Sequence, residues 1–263
     1  MKIAIIGAGI FGCTIALKLS EKKSYQVEIF EEKNEILSGV SLKNQQRFHL
    51  GYHYPRSKKT IYEIKKSYKN FIKFYGKNIF GNTLNLYGIS NFKSKLNFNQ
   101  YLSKLKEANL PIKINKSYGI FSNLIENSII TNEKILDYFK FKRLIKSKIN
   151  KKKNINLKLN FNIKDINPSK YDKIIIASYY NNNQILKFFG VKNLKKMQYE
   201  LIEKIIVKLP EKLRKVSVVI LDGNFLNFDP YIGTRYHLLS VVKEAKIEII
   251  KNKTAKFKDK RKK

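Results

Sequence analysis

Lys2-Ile3-Ala4-Ile5-Ile6-Gly7-Ala8-Gly9-Ile10-Phe11-Gly12 is the stretch that decides the fold. Lys2 to Ile6 is a short apolar run of the kind that forms a strand buried on both faces of a parallel sheet. The glycines that end it match G-x-G-x-x-G, and the residues after Gly12 have the composition of a helix. That context gives the motif its meaning. Gly7 is expected to make the tight turn and Gly9 to let the backbone approach a pyrophosphate. Gly12 is expected to let helix and strand pack closely, while Ile10 and Phe11 open the helix whose first amides face the phosphates.

Outward from there, Gly12 to Lys22 predicts a helix and Gln26 to Phe30 a second strand, which together make a βαβ unit with a right-handed crossover. Glu31 ends that strand, nineteen residues after Gly12. A carboxylate at this point accepts hydrogen bonds from ribose hydroxyls and repels a 2′-phosphate. Glu32 is its neighbour and the second candidate.

Farther along, the pattern predicts helices over 59–75, 97–108 and from Thr131 or Asn132 to about Asn150. Strands are expected over 82–90, within 112–128, and over 155–159 and 173–177. From Met197 strands follow one another, over 198–208, 217–221, 224–228 and 235–241, with Pro210, Gly223, Pro230 and Gly233 between them. The expected fold class is therefore α/β. A Rossmann-type FAD/NAD(P)-binding domain with a parallel sheet is joined to a second, α+β substrate domain with an antiparallel sheet. The expected boundaries are 1–60 and 120–185 for the dinucleotide domain and 61–119 and 186–250 for the substrate or cap domain. A basic tail fills 251–263.

Composition narrows the classes. The 263 residues, 43% hydrophobic and 13% aromatic, suit a folded protein with a substantial core. The single cysteine, Cys13, rules out an internal disulfide and a cysteine cluster for zinc, so a reducing cytoplasm is the expected compartment. No metal site is expected, because three histidines and one cysteine make no familiar ligand set at these spacings. The formal charge of +34 is spread along the chain as lysine rather than gathered on one face. No specific nucleic-acid role is expected from it. No apolar run approaches the ~20 residues of a membrane span.

The βαβ unit, then Ser38-Gly39-Val40-Ser41 and Asn44-Gln45-Gln46-Arg47-Phe48-His49-Leu50-Gly51-Tyr52-His53-Tyr54-Pro55-Arg56, resembles the D-amino-acid-oxidase-like FAD-dependent oxidoreductases. The resemblance implies FAD as cofactor, with Ser41, Asn44 and Gln45 near the flavin or pyrophosphate. Tyr171-Asp172-Lys173-Ile174-Ile175-Ile176-Ala177-Ser178 is similar to the family's strand that returns to the FAD sheet, which implies Ser178 near the dinucleotide. The strand at Glu200, and Leu221-Asp222-Gly223-Asn224-Phe225-Leu226 with Asp229-Pro230-Tyr231, resemble its substrate-domain sheet. Beyond Val242 the family's closing FAD-domain segment is not recognisable. A truncated or degenerate dinucleotide-binding subunit, completed by a partner chain, therefore stands as the alternative to an enzyme.

The implied activity is oxidation of a C–N or C–OH bond in a small amine, amino acid or sugar-related molecule, by hydride transfer to the flavin. An NAD-dependent dehydrogenase ranks lower, since consecutive strands replace the alternation it requires. Candidates for substrate contact and catalysis are Arg47, His49, His53 and Tyr54. In an extended segment residues 47, 49, 51 and 53 share one face, where Arg47 would clamp an anion and a histidine would move protons. The alternative is that these side chains hold the loop to the sheet or hydrogen-bond the cofactor itself. Arg235 is a further candidate, beside Tyr231 and His237.

Overall fold

In the computed structural model, which describes residues 1–117, 119–223, 226–241 and 244–258, the opening residues form the strand, turn, helix and strand that the glycine motif calls for. In chain order the elements begin with β1 (Lys2–Ile6), α1 (Ile10–Leu19), β2 (Gln26–Phe30), α2 (Val40–Lys43) and β3 (Arg47–Phe48). There follow α3 (Lys58–Tyr75), β4 (Leu84–Ser90), α4 (Phe98–Glu107), β5 (Lys113–Ile114), β6 (Ile125–Thr131), β7 (Lys134–Ile135) and α5 (Tyr138–Asn150). The remainder comprises β8 (Ile155–Lys158), β9 (Lys173–Ile176), α6 (Asn182–Phe188), β10 (Met197–Ile202), β11 (Ile205–Val207), β12 (Val216–Leu221), β13 (Leu226–Pro230), β14 (His237–Val241) and β15 (Lys246–Asn252).

The chain divides into two compact units, one of residues 1–44, 140–201 and 248–263 and the other of 45–139 and 202–247. The first is built on a four-stranded sheet in the order β8-β2-β1-β9, with every pairing parallel. Ile3, Ala4, Ile5 and Ile6 are all buried, which is why this strand reads as a continuous apolar run instead of alternating. One side of the sheet packs Ala4, Ile6 and Phe30 with Ile166, Phe161 and Tyr171. Phe30 lies 4.5 Å from Phe161, centroid to centroid, at a tilt. The seven-stranded sheet of the second unit runs β11-β14-β13-β12-β4-β6-β5. It is antiparallel except at its centre, where β12 pairs with β4 in parallel. Its core gathers Tyr52, Tyr87, Ile89, Tyr101, Leu105, Ile129 and Leu221. Asn97 starts α4 with a capping box: its side chain accepts from the Gln100 N–H while Gln100 accepts from the Asn97 N–H.

The α/β class with a parallel sheet and a second multi-stranded sheet is thus as expected, with local corrections. The helix expected from Thr131 begins only at Tyr138. The strand pair expected within 112–128 is β5 and β6, and β6, rich in β-branched residues, runs on to Thr131 beside β4. The expected strand 198–208 is two strands on different sheets, β10 paired with β15 and β11 with β14. The lysine-rich residues around 246–252 hide β15, which the charge pattern conceals. Residues 47 to 53 are not one extended segment. Only Arg47 and Phe48 are strand, and Gly51, at φ +117°, turns the chain. Arg235 precedes β14 rather than lying in it. Asn224, Phe225, Val242 and the tail from Asp259 lie outside the described residues.

Candidate functional site

The glycine turn of the first unit has little room to be anything else. A Cβ on Gly12 would lie 1.9 Å from the Gly7 carbonyl oxygen, so only glycine lets α1 start this close to β1. Gly7 has φ +105°, and a Cβ there would meet the Ala177 carbonyl oxygen at 2.6 Å. Gly9 differs. It is the N-cap of α1 in extended backbone, and a Cβ on it would meet only Ser41 Oγ, at 3.6 Å. The space above Gly9 is open, as close approach by a phosphate requires.

Two side chains brace this turn. Glu31 Oε2 accepts the Ala8 N–H at 2.7 Å and its Oε1 accepts the Lys33 N–H at 3.1 Å. Each oxygen has a second acceptor position, so the carboxylate can hold the loop and still receive ribose hydroxyls. Ser41 Oγ accepts the Ile10 N–H at 3.2 Å, capping α1 from a distant part of the chain. Ile10 and Phe11 open α1, and Phe11 is exposed. Glu32 is exposed, whereas Glu31 is half-buried and turned to the loop. Ser178, just past β9, donates its N–H and Oγ–H to Asn182 Oδ1 at 2.8 and 3.0 Å. Cys13 is buried beneath the turn, and burial together with Glu31 pushes its thiol up to about 12. It is an inert packing residue at neutral pH.

The second unit contains a charge cluster that sequence reasoning places only in part. Arg47, its side chain 4% exposed, donates from Nη2 to Asp229 and to Ser217, and from Nη1 to Glu133 Oε2 at 3.4 Å. Its guanidinium also lies 5.3 Å from the centre of the Tyr87 ring. Burial works against its charge, but Asp229, Tyr87 and Glu133 keep it firmly protonated. Arg47 is therefore occupied by the protein's own acids rather than held out to an anion. It adopts the alternative arrangement, in which the segment is fastened to the sheet.

Glu133 is the centre of the cluster. Fully buried, it accepts the Leu50 N–H at 2.8 Å and the Tyr87 hydroxyl at 2.5 Å. His49 Nδ1 stands 3.5 Å from its Oε2. Burial alone would raise this carboxyl, yet His49, Arg47 and Tyr87 hold it down at about 2. The His49 side chain is 30% exposed. His53 and Tyr54 complete a ring group with it, at centroid distances of 5.5 Å from His49 to His53 and 5.1 Å from His53 to Tyr54. Burial and then the neighbouring His49 depress His53 to about 4, so it is neutral at ordinary pH. Tyr54 is raised by burial and then by Glu133.

Other candidates lie apart. Gln45 falls in the second unit, where its Nε2 donates to Asn227 and its Oε1 accepts from Lys204 at 2.9 Å. Asn44 ends α2. Arg235 is exposed. His237 is buried, with Nε2 donating to the Leu213 carbonyl at 3.0 Å, a structural bond. Sequence reasoning missed Glu133, Tyr87, Ser217 and Asp229 as partners of Arg47. The available signal was an isolated acid, Glu133, separated only by Asn132 from the β-branched run Ile129-Ile130-Thr131 in a lysine-rich chain.

The family model described as "FAD dependent oxidoreductase" (DAO) matches residues 2–96. The chain is similar to the FAD-dependent monooxygenase kojA of Aspergillus flavus, 39% identical over 75 residues, or 28% of this chain and 17% of that protein. It is 25% identical over 134 residues to the FAD-dependent monooxygenase FPY4 of Fusarium mangiferae, covering 51% of this chain and 36% of that one. The chain thus spans well under half the length of either relative. Among solved structures, glycine oxidase from Geobacillus kaustophilus superposes with TM-score 0.71 at 14% identity, over 95% of this chain and 71% of that one. The FAD-bound L-alpha-glycerophosphate oxidase from Mycoplasma pneumoniae gives 0.68 at 13% identity, over 90% and 70%.

Residues 2–96 thus match the FAD-dependent oxidoreductase family model, and the fold of the chain is similar to that of these oxidases. These likenesses support FAD as the cofactor. The residues present fit its adenosine diphosphate half, with open space over Gly9 for the pyrophosphate and Glu31 at the strand end for the ribose. Among the described residues, no helix is long and apolar enough to cross a membrane.

Proposed function

We propose that this chain binds FAD through its amino-terminal glycine turn and acts as an FAD-dependent oxidoreductase on a small molecule, oxidising a C–N or C–OH bond. The observation that carries the reading is the Gly7–Gly9–Gly12 turn. Two of its glycines are closed by backbone and the third opens onto free space, with Glu31 bonded to the loop beside it. Gly9, the first amides of α1, Glu31 and Ser41 would hold the dinucleotide, and Ser178 would flank it. When bound, the flavin supplies the acceptor for a hydride from carbon. The protein's part is to orient the substrate and to receive the proton that leaves nitrogen or oxygen.

His49, His53 and Tyr54 are the groups proposed for that second task, because they are partly open while Arg47 is fully engaged. Small amines, amino acids and sugar-related alcohols are the substrate classes to which the reading applies. The test is anaerobic addition of such compounds to the FAD-loaded protein. Bleaching of the flavin's visible bands by an amine or alcohol supports it. A flavin that stays oxidised with every amine and alcohol, yet reacts with NADPH and then oxygen, would redirect the reading to a monooxygenase.

A further inference from the structure

We infer that Glu133 is a positioning residue for His49: it holds the proton on Nδ1 and so leaves Nε2 as the ring's proton acceptor. Among the described residues, every group that hydrogen-bonds to the Glu133 carboxylate is a donor. Oε1 receives the Leu50 N–H, and Oε2 receives the Tyr87 hydroxyl and Arg47 Nη1. A carboxylate inside such a ring of donors is ionised, and burial without its proton is tolerable only because those donors surround it. His49 Nδ1 lies 3.5 Å from the same Oε2, within ion-pair range, and is buried without a hydrogen bond among the described residues. A bare lone pair there would confront a negative oxygen in a dry site. An N–H turns the same contact into attraction, and in a neutral imidazole a proton on Nδ1 means a free lone pair on Nε2.

The rest of the surroundings fit an acceptor. The ring keeps 30% of its surface exposed, so its outer side can meet a ligand. His53 and Tyr54 flank it, at centroid distances of 5.5 and 5.7 Å, and Arg47 stands beyond the shared carboxylate. His53 is held neutral by burial, so it adds no second charge when His49 takes up a proton. The step is a plain proton transfer. The N–H or O–H bond of a bound amine or alcohol breaks, an N–H bond forms at Nε2, and the electron pair stays with the donor atom. A buried carboxylate that fixes the tautomer of a histidine and stabilises its cation is a recurrent device of general-base sites. The identity of the proton donor rests on the oxidoreductase reading; the tautomer does not.

Three histidines make the test direct. Long-range proton–nitrogen correlation spectra of the nitrogen-15-labelled chain, with signals assigned by His49→Gln and His53→Gln, report which ring nitrogen of His49 carries hydrogen. The expected result is Nδ1–H in the native chain, a shift of population toward Nε2–H in Glu133→Gln, and no such shift in Tyr87→Phe, which removes another donor from the same carboxylate. Acylation of His49 by diethylpyrocarbonate is expected to slow several-fold in Glu133→Gln. An Nε2–H tautomer in the native chain overturns the inference even if Glu133→Gln fails to fold. So does a tautomer that ignores Glu133→Gln, or a His49 that diethylpyrocarbonate does not modify. None of these readouts needs FAD, so loss of flavin binding would count against the oxidoreductase reading alone.

Discussion

Glu31 Oε2 accepts the Ala8 N–H at 2.7 Å, which ties the residue just past the second strand to the middle of the glycine turn. One carboxylate therefore serves two purposes. It fixes the loop that faces the phosphates and stands where a ribose would present its hydroxyls. Replacing Glu31 with Gln keeps an acceptor but removes the charge. Hydrogen bonds to a charged group contribute about 1.5–3 kcal/mol, which corresponds to FAD or ADP binding weaker by roughly ten- to a hundredfold. Titration calorimetry of both ligands should show parallel losses, and an unchanged affinity would remove Glu31 from the site.

The glycines of the turn should respond differently to the same methyl group. Gly12→Ala drives a Cβ against the Gly7 carbonyl, which is backbone and cannot swing aside. Overpacking of this kind costs about 1–3 kcal/mol or more. Gly39→Ala is the control, since nothing lies within 4 Å of its Cβ. Urea unfolding should separate the two clearly, and equal midpoints would show that α1 can shift away from β1 without cost.

Arg47 is a structural charge. Truncating one member of a buried ionic cluster leaves the others uncompensated and typically costs about 3–5 kcal/mol. Arg47→Met should fall in that range, because Asp229 and Glu133 remain buried. Adding Asp229→Asn should recover part of the loss, and the double-mutant cycle reads the coupling. Strict additivity of the two changes would contradict the shared hydrogen bonds.

Acid should weaken the fold in two stages. His53 is depressed to about 4, mainly by burial, from about 6.5 in an unfolded chain. Between those values the unfolded state binds more protons, so stability falls as pH drops through that window. Glu133 is held at about 2, so the stability it contributes is present above about 4.5 and is lost as pH falls toward 2. His53→Gln should flatten the upper part of the pH–stability curve and leave the lower part. An unchanged slope between pH 6.5 and 4 would show that His53 protonates as easily in the folded protein as in the unfolded one.

The first thirty residues were legible because each local rule there agrees with the others: a doubly buried strand, glycines where no Cβ fits, and a carboxylate at the next strand end. The segment after Tyr25 shows the same agreement, as Gln26–Phe30 pairs residue by residue with Lys2–Ile6. Legibility declined where meaning depends on distant partners. Arg47 finds Ser217 and Asp229 across more than 160 residues of sequence, and no spacing rule encodes that. Lysine abundance masked β15, since charged residues at alternate strand positions look like a solvated tail. Asn132 and Glu133 resemble a helix start, but β-branched residues upstream pair with β4 and carry Glu133 into the core.

The central claim is that the turn at Gly9 receives a dinucleotide, and the visible absorption spectrum of desalted protein incubated with FAD tests it most directly. Gly9→Ala is the partner measurement, because its Cβ fits the free chain, with only Ser41 Oγ nearby, yet occupies the space a pyrophosphate needs. The expected result is flavin bands retained by the native chain and largely lost from Gly9→Ala, with the two proteins unfolding at the same urea concentration. A native chain that emerges colourless, or a Gly9→Ala variant that holds FAD as tightly as the native protein, would contradict it.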